Sequence, residues 1–358
     1  MHKRLITLAC LAMLAGAFAP ALADSAADTG PLLARTVAST TLPGSGRSWG
    51  FITLDAPHER LLLARRENGL SVVDTARRHA PRTLPDSAGA NAVVLVPGAD
   101  RAYVANTDGT LSVLRLSDLR QLQRIAVSDA NLNSAVFDAA SNRVIIASGR
   151  RAERSTLYLL DPASDRIVAQ QDLDVRKIDP LLVVGDGTLL LPMRDEGAVM
   201  RVDAATLAVR DTWRFAGCEQ PGALAADTAQ RRLFVACRGA APILVVADLD
   251  KGTRIAALPT GHAVNALAYD ARLRRILVPS GIDAQLRIVA QDDADHYRVL
   301  GDVATRTWAH NMAYDAASQR AYLATMDVTQ PAPGPGGKKT DPLFHPDSFT
   351  VLTLQLEK

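Results

Sequence analysis

Arg101-Ala102-Tyr103-Val104-Ala105-Asn106 decides the fold, because its pattern returns six more times. The other copies are Arg60-Leu61-Leu62-Leu63-Ala64, Arg143-Val144-Ile145-Ile146-Ala147, Thr188-Leu189-Leu190-Leu191-Pro192, Arg232-Leu233-Phe234-Val235-Ala236, Arg275-Ile276-Leu277-Val278-Pro279 and Arg320-Ala321-Tyr322-Leu323-Ala324. Successive copies lie 41 to 45 residues apart. A fixed period of this length specifies a repeat architecture in which each unit buries its apolar face against the next.

One repeat shows how the period is filled. Ala92 to Val96, Ala102 to Ala105, Leu111 to Leu116 and Leu122 to Val127 are short β-branched-rich runs, separated by Pro97-Gly98-Ala99-Asp100, Thr107-Asp108-Gly109 and Ser117-Asp118. Short apolar runs between tight polar turns, without a sustained helical period, form a four-stranded antiparallel sheet. Seven such sheets arranged radially make an all-β, seven-bladed β-propeller. The seventh repeat supplies only three strands, up to Leu356. The ring is therefore expected to close with Ala34 to Leu42 as the fourth strand of the last blade, which removes two exposed sheet edges. Five first turns carry Asp and, five positions on, Arg: Asp55 and Arg60, Asp138 and Arg143, Asp227 and Arg232, Asp270 and Arg275, Asp315 and Arg320. These predict an Asp-closed turn with the Arg paired beside it at a solvated hairpin end.

Ahead of the repeats, residues 1–23 combine the basic His2-Lys3-Arg4, an apolar stretch from Leu5 to Gly16 and the small residues Ala21-Leu22-Ala23, the pattern of a secretory signal peptide cleaved near Ala23. The remaining 24–358 reads as one modular domain, expected in the periplasm or secreted, without a transmembrane segment and as a monomer. Loss of Lys3 and Arg4 with the leader leaves 38 basic and 38 acidic residues. That balance argues against nucleic acid as a partner. Cys218 and Cys237 fall at one end of the fifth repeat's first hairpin. In an oxidising compartment they read first as a disulfide, with two unpaired thiols as the alternative.

The run Arg101 to Asn106 followed by Leu111-Ser112-Val113-Leu114 resembles the YVTN repeat of exported, YncE-like seven-bladed propellers. The order Tyr297-Arg298-Val299, Thr305-Arg306, Ala321-Tyr322-Leu323, a Pro-rich loop and Phe349-Thr350-Val351-Leu352 also resembles that family. Pro192 and Pro279 depart from it, standing where the pattern carries Ala. The resemblance implies the fold and leaves the activity open.

Function is expected on the face where the first strands enter the channel. Its entry loops carry Arg47, Trp49, Asn91, Asn133, Arg176, Lys177, Gln220, His262, Arg306, Trp308, His310 and Asn311, the candidate ligand-binding residues. Trp49 and Trp308 become neighbours on ring closure and suit a sugar, a quinone or an unpaired base, or else pack between blades. The outer turns of this face add Arg65, Arg66, Arg150, Arg151, Arg154, Arg194 and Arg238 among Glu67, Asp108, Glu153, Asp195, Glu196 and Asp283, a mixture read first as solvated charge, with an anion held by Arg150, Arg151, Arg154, Arg176 and Lys177 as the alternative. The insertion Gln330 to Pro346, with five prolines, reads as a gate or a spacer.

The first expectation is a non-catalytic propeller that needs no cofactor and binds a small or polymeric ligand, or a periplasmic protein partner. The alternative is a metal-assisted hydrolase similar to propeller lactonases, with Asn133, Asp179, Glu219 and Asn265 around a divalent ion. Single-stranded nucleic acid is a weaker alternative, resting on the local Arg and Trp residues.

Overall fold

In the computed structural model, which describes residues 32–149, 153–332 and 340–357, the chain from Leu33 on forms a ring of seven four-stranded antiparallel sheets. The region read as a leader, together with Arg150, Arg151 and the middle of the Pro-rich insertion, lies outside the described residues. Among the described residues no helix is long and apolar enough to cross a membrane.

Blade two shows the pattern, with strands Ala90–Val96, Arg101–Asn106, Thr110–Arg115 and Gln121–Ala126. Its second strand is wholly buried beyond Arg101, because both faces of the sheet meet a neighbouring blade. The apolar core accordingly divides into layers between blades. Leu62, Val93 and Val104 share one layer, Val94, Tyr103 and Ile146 the next, and Leu190, Val199, Leu233 and Val245 another further round. The last layer joins blade seven to blade one through Leu61, Leu63, Tyr322 and Val351.

Closure occurs as the strand count requires. Ala34–Leu42 pairs antiparallel with Phe349–Leu356, from Ala34 opposite Leu356 to Leu42 opposite Phe349, and completes blade seven outside Arg320–Thr325 and Asn311–Asp315.

The prolines have a local cost. In blade one the amide of Ala64 donates to Phe51 O on the entry side of the first strand, at 3.1 Å. Pro192 and Pro279 occupy the same repeat position and have no N–H to give. Blades four and six correspondingly keep the shortest first strands, Leu182–Val183 and Ala268–Asp270, and their entry segments run irregularly past the channel mouth.

The Asp–Arg turns need correction. Four of the five Asp residues close their turns through backbone amides: Asp138 accepts from Ser141, Asp227 from Ala229 and Gln230, Asp270 from Arg272 and Leu273, and Asp315 from Ala317, whereas Asp55 is held by the side chains of His58 and Arg60. Asp55, Asp138, Asp227 and Asp270 are buried, however, and only Arg60 pairs with its own Asp, at 2.7 Å. Arg143 instead reaches Asp161, Arg232 reaches Asp295, and Arg320 donates to Gln355. The freed carboxylates tie blades together, since Tyr269 donates to Asp227 and Tyr314 to Asp270 from the following blade. Arg232 reaches into the following blade, whereas Arg143 and Arg320 find partners at the next strand of their own blade; the shorter Asp side chain stays in its own turn.

Candidate functional site at the channel mouth

The end of every second strand and the entry of every first strand meet on one rim. A cavity of about 250 Å³ opens there. Arg47, Ser48, Trp49 and Arg66 of blade one line it with Arg194 of blade four, Arg238 of blade five, Asn265 of blade six and Trp308, His310 and Phe344 of blade seven. Side chains from five blades meet only on the ring axis. An adjoining cavity of about 140 Å³ shares Trp49, Arg66, Arg194 and Asn265 and adds Asn133, Lys177, Asp179 and Asn311.

Three of these arginines were missed as site residues and assigned to outer turns. Arg66, Arg194 and Arg238 each stand two residues after the Ala or Pro that ends the repeat motif, a position held elsewhere by Thr107, Gly149, Gly281 and Met326. Overlaying the seven copies therefore finds one ring of positions, three of them guanidinium. Arg66 donates Nε to Asn91 Oδ1 at 3.0 Å, and Arg194 donates Nε to Asp179 Oδ2 at 2.5 Å. The Arg238 guanidinium has no hydrogen-bond partner among the described residues. Burial draws its pKa down to about 10, with the nearby charge of Arg194 adding and Asp179 opposing. Burial likewise lowers Arg66.

His310 sits among these charges, 9% exposed. Trp49 stacks on its ring, with centroids 5.6 Å apart and planes 13° apart, and Trp308 meets it edge-on at 5.7 Å. Burial, and then the charges of Arg238, Arg66 and Arg194, hold its pKa down to about 3, so the imidazole is neutral. Its Nδ1 and the indole Nε1 of Trp49 are buried without a hydrogen-bond partner among the described residues.

Trp49 is thus a wall of the site, only 7% exposed, and does not offer an open platform. The half-buried aromatics at the mouth are Trp308 and Phe344, edge to face at 5.3 Å. Trp308 holds φ of 69°, a left-handed conformation costing a bulky residue about 1–3 kcal/mol. Its amide donates to Gly281 O at 2.6 Å and its carbonyl accepts from the His310 amide at 2.8 Å, which keeps it there. Phe344 comes from the base of the Pro-rich insertion, where Val328–Thr329 pairs with Leu343–Phe344. The ladder is pinned by Arg306 paired with Asp327 and by mutual bonds between Gly44 and Asp347.

The other candidates divide. Asn91, Asn133 and Asn311 are buried ties between blades, donating their amides to Leu132 O at 2.8 Å, Ile178 O at 2.9 Å and Gly50 O. Arg47 lines the larger cavity and Lys177 the adjoining one. Arg306 serves the loop base, His262 pairs with Asp283 at 3.1 Å on an exposed edge, and Arg176 and Gln220 are exposed outside both cavities. Of the four oxygen donors suggested for a metal, Asn133, Asp179 and Asn265 line the adjoining cavity, while Glu219 lies exposed against Gly239. Asp179 is already held by Arg194 and, at 3.8 Å, by Lys177. Two cations beside the single carboxylate oppose a divalent ion. No group of three or more His, Cys, Asp or Glu able to hold a metal occurs among the described residues. Cys218 and Cys237 are joined in a disulfide, with Cα atoms 5.0 Å apart.

A further cavity of about 260 Å³ lies between blades one and two, lined by Leu70, Leu84, Val104 and Leu114 beside the two-residue outer strand Arg82–Thr83. It lies away from the axis, and its ionisable lining residues, Arg82, Asp118 and Arg120, are of mixed sign.

Comparison with known proteins supports the class the fold defines. The chain is similar to the WD40 repeats of RRP9, with TM-score 0.71 and 8% identity over 90% of this chain and 99% of that one. It is also similar to U3-55K, with TM-score 0.69 and 8% identity over 88% and 98%, and to a chain of a mitotic checkpoint complex, with TM-score 0.71 and 12% identity over 99% and 100%. At such identities the likeness is one of fold: a seven-bladed β-propeller with WD40-like structural neighbours. No family model matches the chain, and no curated protein matches it.

Proposed function

We propose that this is an exported, non-catalytic binding propeller of the YVTN-repeat kind, which captures its ligand or partner at the channel mouth. One observation carries the reading: five blades converge on an axial cavity whose rim presents Trp308 in a strained backbone conformation against Phe344. Strain of that kind persists where the surroundings enforce it, and it clusters at binding sites. Apolar rings beside a few fixed polar groups are the usual make-up of a ligand pocket. Residues 1–23 and the disulfide support export to an oxidising compartment. The mature chain then begins near Asp24, and sequencing the N-terminus of protein recovered from a periplasmic fraction tests this directly.

The binding claim is tested by ligand-detected NMR with a small-molecule fragment library. Bound fragments should lose their signal with Trp308→Ala, while the melting temperature changes little. A protein that binds no fragments, or binds them equally well in the variant, would refute the channel-mouth reading.

A further inference from the structure

We infer that the arginine arc of the mouth is an oxyanion subsite, taking the carboxylate or phosphate end of a small ligand whose flat body lies against Trp308 and Phe344. This rests on the channel-mouth reading and adds the chemistry of the ligand to it.

The charges carry the argument. Arg47, Arg66, Arg194 and Arg238 line the larger cavity, and no acidic residue does. The flanking carboxylates answer part of this charge: Asp179 is held by Arg194 and Lys177, and Glu67, which accepts from Ser48 Oγ at 3.1 Å, favours the charged form of Arg66, whereas Arg238 makes no ion pair among the described residues. Gathering guanidinium groups at one partly buried place is unfavourable unless an anion neutralises them, and the guanidinium fork suits the two oxygens of a carboxylate or phosphate.

Two polar atoms of the wall are left over beside the arginines. Trp49 Nε1, an obligatory donor, is buried with no acceptor, and the neighbouring His310 Nδ1 is equally unpartnered. Both residues are more than nine-tenths buried and line the cavity that the arginines enter. Neither atom is open to the cavity as it stands, so an anion reaches them only if the wall side chains shift, and the arginines carry the recognition. The volume of about 250 Å³ admits a small molecule. Aromatic edges above and cations at the wall select a ligand with an apolar plane and an anionic end.

Matched probes separate the two layers of this claim. Titration calorimetry with benzoate, phenyl phosphate and the uncharged benzyl alcohol should show the charged probes binding more tightly, with affinity falling as salt rises. Arg238→Gln, which removes a guanidinium making no hydrogen bond, should weaken the charged probes roughly tenfold, as expected for one charge-assisted contact. Arg166→Gln, an exposed change on an outer strand, should leave them unaltered. The tighter of benzoate and phenyl phosphate identifies the head group. If benzyl alcohol matches the charged probes and Arg238→Gln changes nothing, the oxyanion subsite is overturned while the aromatic mouth stands. If Trp308→Ala also leaves every probe unaffected, the channel-mouth reading falls with it.

Discussion

Two arcs of the same rim use polar side chains in opposite ways. Between blades two and three, Asn91 and Asn133 donate their amides to the next blade's backbone, and Asn91 also accepts from Arg66, so that little hydrogen-bonding capacity is left over. From blade seven round to blade one, Trp49 Nε1, His310 Nδ1 and Asn311 Oδ1 are buried with no hydrogen-bond partner among the described residues, and the partly buried Arg238 guanidinium of blade five makes no ion pair there. The first arc holds the ring together, and the second keeps binding capacity in reserve at the expense of stability. Residue type alone does not separate them. Asn311 belongs to both, its amide tied to Gly50 O and its oxygen left over.

The sharpest way to break the contrast is Gly50→Ala. A Cβ there would sit 1.9 Å from Asn91 O, on backbone that cannot withdraw, and the expected loss is about 4 kcal/mol or more in urea unfolding. A tolerated Ala would show the blade contact to be slack.

Next comes pH. His310 is held near 3 in the folded protein against 6.5 as its ordinary value, so the folded state binds its proton less readily. Its contribution is complete above pH 6.5 and is lost as pH falls towards 3, amounting to about 3 kcal/mol between pH 7 and pH 4. His310→Gln should flatten that part of the urea-midpoint profile, and an unchanged slope would place the titration elsewhere.

Asn133→Ala should cost about 2 kcal/mol, because Ile178 O loses its donor in a buried setting. The smallest effect carries the opposite sign. Arg238→Gln removes a partly buried charge repelled by Arg194 and should stabilise by about 1 kcal/mol, a rise of a few degrees in melting temperature. If both substitutions destabilise alike, the two arcs are not distinct.

The strand pattern made the ring legible, because alternation, turn residues and a near-constant period all report the same backbone path. Strand counting exposed the closure through Ala34–Leu42 for the same reason. The site was legible only in part. Trp308 and His310 stood out by residue type, whereas Arg66, Arg194 and Arg238 looked like ordinary loop charges until their shared place in the repeat was overlaid. Asn91 and Asn133 misled in the other direction, since an amide in an entry loop reads the same whether its acceptor is a ligand or the next blade. What separates those cases is a distance across blades, and a linear chain carries that only through register.

Closure through Ala34–Leu42 also dictates an order of events. This strand is the first of the ring to be synthesised, and its partner, Phe349–Leu356, is the last. Throughout chain growth the first strand waits with an unpaired edge, and no partly made chain can close the circle. So distant a contact makes final closure slow compared with the folding of any one blade. The clasp that joins the two chain ends is thus the step at which an unfinished ring is most open to pairing with a second chain.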